Sequence, residues 1–178
     1  KRDLGMDTAL YVARVIHADL TLANASSWQW WTALTRANFK DGLIYLDTGD
    51  ENDLYNEKQL RKDGVFHDSK LLWALGNYSR FVAPDMVRIE VKLNENKSIK
   101  EQYSNVMISA FMDKNTSETA IVAINYSNED KKIDLSDYSV DTMYVTSKDK
   151  NLEAILITDK NIILEARSVN TLIGYLKK

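Results

Sequence analysis

The hydrophobic positions of this chain repeat with a helical period in two stretches of its first half. Residues 8–22 and 70–82 each place apolar side chains three or four positions apart, which predicts two amphipathic helices. Pro84 prevents the second helix from continuing and disfavours helical backbone at the residue before it. The two stripes consist of Ala9, Ala13, Ile16 and Leu20, and of Leu71, Leu75, Tyr78 and Val82.

Between the two helices, residues 25–34 have the sequence ASSWQWWTAL, which contains no charge, glycine or proline. Such a short run, rich in residues that favour a pleated surface, predicts a buried strand. A helix, a tight loop and a buried strand form the repeat unit of an α/β fold. The indole rings also suit a sugar site, since pyranose rings stack their C–H faces on aromatic surfaces. The alternative is that all three tryptophans of this stretch belong to the core.

The hydrophobic period changes from about 3.6 to 2 after Met86, where Val87, Ile89 and Val91 alternate with charged residues. Many short strands separated by polar turn clusters predict an all-β sandwich. The boundary between the α/β piece and the sandwich therefore falls near residues 83–85. Further strands are predicted over residues 106–112, 119–126, 132–135, 142–146, 154–157, 162–165 and 169–176.

Residues 35–67 lack a sustained period, apart from a short apolar segment at residues 42–47 that favours a strand. An irregular stretch of this length inside a compact unit is typically functional or mobile. Asp47, Asp50 and Asp53 are spaced by three residues, which does not fit a calcium loop. The sequence therefore favours a solvated loop here over a metal site.

The composition of the chain argues against several classes of function. The net charge of −3 argues against a nucleic-acid-binding surface. No apolar run is long enough to span a bilayer, and the absence of cysteine excludes thiol chemistry. His17 and His67 have no metal-ligand spacing, and no phosphate-binding glycine loop is present. We therefore expect no cofactor, no metal, no nucleic-acid partner and no membrane association.

The α/β part resembles one end of a larger closed sheet. A strand that is apolar on both faces needs a parallel neighbour on each side, and residues 1–83 supply none. Helix, strand, long loop and helix is the order found where a (β/α)8 barrel closes. We expect residues 1–83 to be this incomplete barrel end and residues 84–178 to be a C-terminal β-sandwich. The open side of such a cut barrel would permit self-association.

Three stretches of the sequence resemble glycoside hydrolase family 30, in its endo-β-1,6-galactanase or O-glycosyl hydrolase branch. They are ASSWQWWTAL with GLIYLD after it, KLLWALGNYSRFVAPDMVRIEV, and the final strands YVTSKDKNL and ARSVNTLIGYL. One departure is Ala83-Pro84-Asp85, where the family usually has Arg-Pro-Gly, and we expect this change to strain or reshape a turn.

The resemblance implies a (β/α)8 barrel with a side β-sandwich and retaining hydrolysis of β-linked glycans. Retention requires two carboxyl groups about 5–5.5 Å apart, which in the family are two glutamates at the ends of the fourth and seventh strands. Both positions would precede Lys1. We therefore expect no catalytic residue in this chain, and the acidic residues at 47–57 are not assigned that role.

The resemblance also implies that the eighth strand places an aromatic side chain beside the sugar. Trp31 is the first candidate because it lies nearest the carboxyl end of the predicted strand, and strand alternation puts Gln29 on the same face. In this arrangement Trp28 and Trp30 pack outward against the helices. The opposite arrangement, with Trp28 and Trp30 facing inward, stays open, so Trp30 is the third candidate for substrate binding.

We thus expect the C-terminal part of a secreted or cell-surface glycoside hydrolase. It would supply a sugar-stacking strand and a supporting sandwich and would be inactive by itself, and its partner would be a β-linked poly- or oligosaccharide. The alternative is a carbohydrate-binding or purely structural sandwich module. The sequence gives neither the linkage nor the endo or exo mode.

Overall fold

The computed structural model describes residues 1–50, 53, 55–92, 97–135, 137–158 and 161–177. Its helices are α1 (Met6–Thr21), α2 (Glu57–Leu60), α3 (Lys70–Ser79) and α4 (Ile99–Tyr103). The strands of the first half are β1 (Leu34–Thr35), β2 (Ile44–Thr48) and β3 (Gly64–Asp68). Those of the second half are β4 (Val87–Ile89), β5 (Val106–Met112), β6 (Glu118–Asn125), β7 (Lys131–Asp134), β8 (Tyr138–Thr146), β9 (Glu153–Leu156), β10 (Asn161–Leu164) and β11 (Ser168–Leu176).

The second half of the chain is a sandwich of two antiparallel sheets. One sheet has the strand order β4-β5-β6-β11-β8-β9, and the other pairs β10 with β7. Helices α1 and α3 pack against the outer face of the larger sheet. Each strand predicted from the alternating pattern is present, with its ends shifted by a few residues. Helices α2 and α4 and strand β3 were not predicted from the sequence.

Two hydrophobic clusters lie on opposite faces of the larger sheet. Central strand β6 contributes Val122 and Ile124 to the cluster beneath α1 and α3, and Ile121 and Ala123 to the cluster shared with β7 and β10. Because both of its faces are covered, β6 is an almost continuous apolar run. The principal partners are Leu10, Ile16, Leu71 and Met107 in the first cluster and Met143, Ile162, Leu164 and Leu172 in the second.

A buried polar network joins α3 to the larger sheet. Asn77 is fully buried, and its side-chain amide donates to the Thr146 hydroxyl at 2.7 Å. The Thr171 hydroxyl donates to the backbone carbonyl of Asn77 at 2.6 Å and lies 3.0 Å from its side-chain oxygen. Buried polar groups are tolerated when they are paired in this way, so the network fixes how the helix sits on the sheet.

The tryptophan segment differs from its prediction. Residues 25–33 form irregular extended chain, and only Leu34 and Thr35 pair as a strand, parallel to β2. The predicted buried strand over residues 25–34 is therefore wrong. A regular strand requires neighbours on its hydrogen-bonding edges, and none of the described residues lies in those positions along most of the segment.

Residues 35–67 are also more ordered than the sequence indicated. Strand β2 pairs in parallel with β1 and antiparallel with β3, which makes a three-stranded sheet. The predicted apolar segment at residues 42–47 supplies most of β2. The prediction of a long irregular loop was wrong because β3, with the sequence GVFHD, carries only two apolar residues and shows no pattern by itself.

The turn after α3 carries the departure seen in the sequence. Asp85 adopts a φ of 71°, in the left-handed region that favours glycine. The expectation of strain in this turn is thus supported by its backbone geometry. Asparagine and aspartate tolerate this region better than other non-glycine residues, which explains how Asp85 occupies the position.

Candidate functional site

Two tryptophans of the segment are anchored to the body of the protein. The rings of Trp28 and Trp30 are stacked, with centroids 5.7 Å apart and planes 10° apart. The Trp28 indole N–H donates to the Asp19 carboxylate of α1 at 2.9 Å, and that of Trp30 donates to the Asp41 carbonyl at 2.7 Å. Both rings also pack against the cluster beneath α1 and α3. These contacts fix the path of the intervening chain.

The residues between and after this stack point away from it. Trp31 has 83% of its surface exposed, and Gln29 is exposed as well. Together we call them the Trp31 face. An exposed indole and an exposed side-chain amide two residues apart in the sequence offer a stacking surface together with a donor and an acceptor for hydroxyl groups. Of the three predicted substrate-binding residues, Trp31 and Gln29 are exposed and Trp30 is partly buried in the stack, and their role in substrate binding stays a prediction.

The backbone behind Trp31 is held by the following loop. The Thr32 N–H donates to the Asp41 carbonyl at 3.2 Å, and the Leu43 N–H donates to the Thr32 carbonyl at 3.1 Å. Further along, the buried guanidinium of Arg36 donates to the carbonyls of Thr48, Asp50 and Asp53 at 2.5, 2.7 and 3.2 Å. The Trp31 face therefore rests on a fixed support, which lowers the entropy lost on binding.

A polar cluster lies on one face of the three-stranded sheet. Asp47 pairs with the Arg2 guanidinium and, at 2.9 Å, with the His67 Nε2. The hydrogen bond from Arg2 is the main cause of a lowered pKa at Asp47, so this carboxylate stays ionised. Arg2 also lies 4.9 Å above the Tyr45 ring. The cluster ties the N-terminal segment to β2 and β3 and explains why Asp47 is unsuited to proton transfer.

His17, which has no metal-ligand spacing in the sequence, is a buried residue in the structure. Its ring is buried on α1 and meets Tyr103 edge-on at 5.6 Å. Burial lowers the pKa of His17 to about 4. In the described parts of the chain, no three His, Asp or Glu side chains are grouped as they would be around a metal ion. No helix among the described residues is long and apolar enough to cross a membrane.

Three exposed aromatic residues were not predicted as candidates from the sequence. Phe39 and Phe66 are exposed by 65% and 72%, and Tyr11 projects from α1 with 55% of its surface exposed. The signal for Phe39 was weak, because it stands alone in a polar stretch. Phe66 was hidden by the failure to recognise β3.

Comparison with known proteins places the fold. Residues 1–45 match the family model of O-glycosyl hydrolase family 30. A conserved exported protein from Bacteroides fragilis is 41% identical, with a TM-score of 0.82 over 94% of this chain and 33% of that one. No curated protein matches the sequence.

Two xylanases share the fold at lower identity. A family 30 subfamily 8 xylanase from Clostridium acetobutylicum is 20% identical, with a TM-score of 0.65 over 97% of this chain and 40% of that one. The catalytic domain of a family 30 xylanase from Talaromyces cellulolyticus is 23% identical, with a TM-score of 0.68 over 93% of this chain and 34% of that one. This chain thus spans between a third and two fifths of the length of these structures.

The predicted fold class is confirmed, since the chain matches the C-terminal portion of (β/α)8-barrel enzymes of family 30 and carries sandwich-like sheets. The match over residues 1–45 and the shared fold together support glycoside hydrolase family 30, in the broad sense, as the family that this chain resembles.

Proposed function

We propose that this chain is the C-terminal part of a secreted retaining glycoside hydrolase that acts on β-linked glycans of the β-1,6-galactan type. In this proposal the Trp31 face stacks against a sugar ring and Gln29 pairs with its hydroxyl groups. The observation that carries the proposal is the contrast within the segment: Trp28 and Trp30 are anchored by ring stacking and N–H bonds, while Trp31 is 83% exposed. An exposed indole on a fixed support favours binding over packing.

The proposal divides the chain into two parts with different tasks. Residues 1–83 would form the last helix, strand, loop and helix of a (β/α)8 catalytic barrel, and residues 84–178 would be a sandwich that supports it. The support is the hydrophobic cluster that α1 and α3 share with β5, β6 and β11, together with the buried Asn77 network. Such extensive burial makes the two parts one stable body.

The reaction itself would use groups outside this chain. Retaining hydrolysis proceeds through a covalent glycosyl-enzyme intermediate and needs two carboxyl groups about 5–5.5 Å apart. We propose that both come from other barrel strands, and that the Trp31 face contributes by holding the sugar in the orientation for attack. Positioning of this kind lowers the barrier without any chemistry at the tryptophan. The exposed edges of the tryptophan segment would also allow self-association of the isolated chain.

A binding module carried by the sandwich is the second candidate, and the structure gives it less support. Glycan-binding sheets present aromatic side chains on one face. Among the described residues from 84 onward, Tyr175 is the exposed aromatic residue, and its hydroxyl donates to the Glu118 carboxylate at 3.2 Å. The remaining tyrosines of the sandwich are at least half-buried.

The test is a titration of the purified 178-residue chain with β-1,6-galactan, followed by tryptophan fluorescence and by reducing-end release. We expect a saturable fluorescence change without hydrolysis, and a loss of at least tenfold in affinity for Trp31→Ala. Tyr175→Ala is the matched control and should bind as the unaltered chain does. Hydrolysis by the chain would contradict the assignment of the carboxylates, and unchanged binding by Trp31→Ala would contradict the site.

A further inference from the structure

A groove of about 690 Å³ lies beside α1, and four aromatic rings line it. Trp30 forms part of its wall, whereas Trp31 takes no part in it. The other three rings come from separate parts of the chain, namely Tyr11 on α1, Phe39 in the loop before β2, and Tyr126 just after β6. We call this feature the aromatic groove. Its volume lies within the range of sites that hold small organic ligands.

Three of the four rings of the aromatic groove, those of Trp30, Tyr11 and Tyr126, contact other side chains that hold them in place. Trp30 is fixed by its stack with Trp28 and by its bond to the Asp41 carbonyl. The Arg14 guanidinium lies 4.7 Å from the centre of the Tyr126 ring and 5.6 Å from that of Tyr11, so one cation orders both rings. Phe39 and Tyr11 nevertheless keep more than half of their surface exposed. Fixed and exposed aromatic faces are suited to stacking.

Polar groups sit among these rings. Asp41 and Lys40 line the groove side by side, and Asp7 on its rim pairs with Arg167. Lys40 and Asp41 bring a hydrogen-bond donor and an acceptor to the lining, which can pair with ligand hydroxyl groups. Acidic and basic groups are mixed around the groove, so the lining favours neither a polyanion nor a polycation. It matches a ligand that is neutral, rich in hydroxyls and flat on its C–H face.

We propose that the aromatic groove is a second carbohydrate site, which binds a neutral β-linked oligosaccharide independently of the Trp31 face. The proposal extends the glycan-binding function proposed above and rests on it for the class of ligand. A second site would hold a polymer on the protein while another part of the same polymer occupies the Trp31 face. Two sites that engage one chain raise the overall affinity through effective concentration.

The experiment is calorimetric titration of the 178-residue chain with β-1,6-linked galactotetraose. We expect two sites per chain in the unaltered protein. The double variant Tyr11→Ala/Phe39→Ala should retain one site and weaken the other at least tenfold, and Trp31→Ala should show the converse. Tyr175→Ala is the matched control and should keep both sites. Scanning calorimetry of each variant verifies folding, which is expected to persist because Tyr11, Phe39 and Trp31 are largely exposed.

Each outcome of the titration supports or overturns one or both of the two sites. Two unaltered sites in the double variant would overturn the aromatic groove and leave the Trp31 site standing. Loss of all binding in the double variant, with Trp31→Ala unchanged, would overturn the Trp31 site alone. No binding of the tetrasaccharide by the unaltered chain would overturn both. Sedimentation tests whether the groove is instead a contact between copies of the chain. A dimer that dissociates in Tyr11→Ala/Phe39→Ala while sugar binding is unchanged would overturn this proposal.

Discussion

The junction between α3 and the larger sheet and the surface from Trp31 to Phe66 use their side chains in opposite ways. At the junction even the polar Asn77 is buried, and its amide is paired with groups on two strands. Along the surface, Trp31, Phe39 and Phe66 are exposed. The chain beneath them is ordered by hydrogen bonds to backbone carbonyls, such as those that the buried Arg36 guanidinium donates. The difference indicates that stability resides in the junction, while the exposed rings contribute little to it and leave apolar area uncovered.

The largest expected effect is at the centre of the junction. Asn77→Ala removes the amide that donates to the Thr146 hydroxyl and to the Trp73 carbonyl and leaves a buried cavity, while Thr171 keeps its bond to the backbone carbonyl at position 77, so we expect the free energy of unfolding to fall by about 4 kcal/mol. Urea denaturation measures this loss. The matched control is Asn128→Ala on the surface, which should change stability by less than about 0.5 kcal/mol. A loss at Asn77 as small as that of the control would contradict the role given to the junction.

Acid should weaken the packing of α1 through the buried His17. Its pKa is lowered to about 4 in the folded protein, so the unfolded chain binds the proton more tightly. Stability is therefore fully present above pH 6.5 and declines as the pH falls towards 4, by roughly 3 kcal/mol at about 1.4 kcal/mol per pKa unit. Denaturation midpoints at pH 7.5 and 4.5 measure the decline.

The variant His17→Phe separates this effect from the titration of carboxylates. Phenylalanine preserves the edge contact with Tyr103 and cannot bind a proton, so most of the decline should disappear. An equal decline in the variant would show that other groups control the acid sensitivity.

Adjacent tryptophans provide the sharpest form of the comparison. Trp30→Ala removes a half-buried ring, its stack with Trp28 and its bond to Asp41, so stability should fall by about 2 to 3 kcal/mol. Trp31→Ala removes an exposed ring and should change stability by less than about 0.5 kcal/mol. Thermal unfolding measures both. Equal losses at the two positions would mean that Trp31 is part of the packed structure.

The smallest effect concerns the turn after α3. Asp85→Gly relieves the left-handed conformation at φ 71° but adds freedom to the unfolded chain, so we expect a net gain of about 0.5 kcal/mol. Asp85→Ala should have the opposite sign, because alanine tolerates this conformation less well than aspartate. Thermal unfolding of both variants measures the difference. Two losses of similar size would show that the Asp85 side chain has a role beyond the backbone.

The sequence predicts local periodicity well and long-range pairing poorly. Strands β5 to β11 and helices α1 and α3 follow from their patterns, because each buries a face with its own period. The strand expected at residues 25–34 did not form, because a strand depends on neighbours that a local pattern cannot reveal. Strand β3 was missed for the related reason that its pairing with β2, rather than its composition, stabilises it.

The candidate site was predictable to a similar degree. Exposure alternates through the irregular segment, with Gln29 and Trp31 exposed and Trp28 and Trp30 partly buried, whereas their role in substrate binding stays a prediction. The aromatic groove could not be predicted, because Tyr11, Phe39 and Tyr126 are far apart in the sequence and converge only in the fold. Asp85 is an intermediate case. Its departure from the glycine usual in the family predicted a strained or reshaped turn, and its φ of 71° lies in the left-handed region.

The stacked pair Trp28 and Trp30 also gives the protein its own spectroscopic marker. Two near-parallel indoles with centroids 5.7 Å apart are close enough for their electronic transitions to couple, so we expect an exciton signal in circular dichroism. Trp31 stands outside that pair, so its replacement should leave the couplet intact. Circular dichroism can thus follow the order of the tryptophan segment while a ligand is added to the Trp31 face or to the aromatic groove.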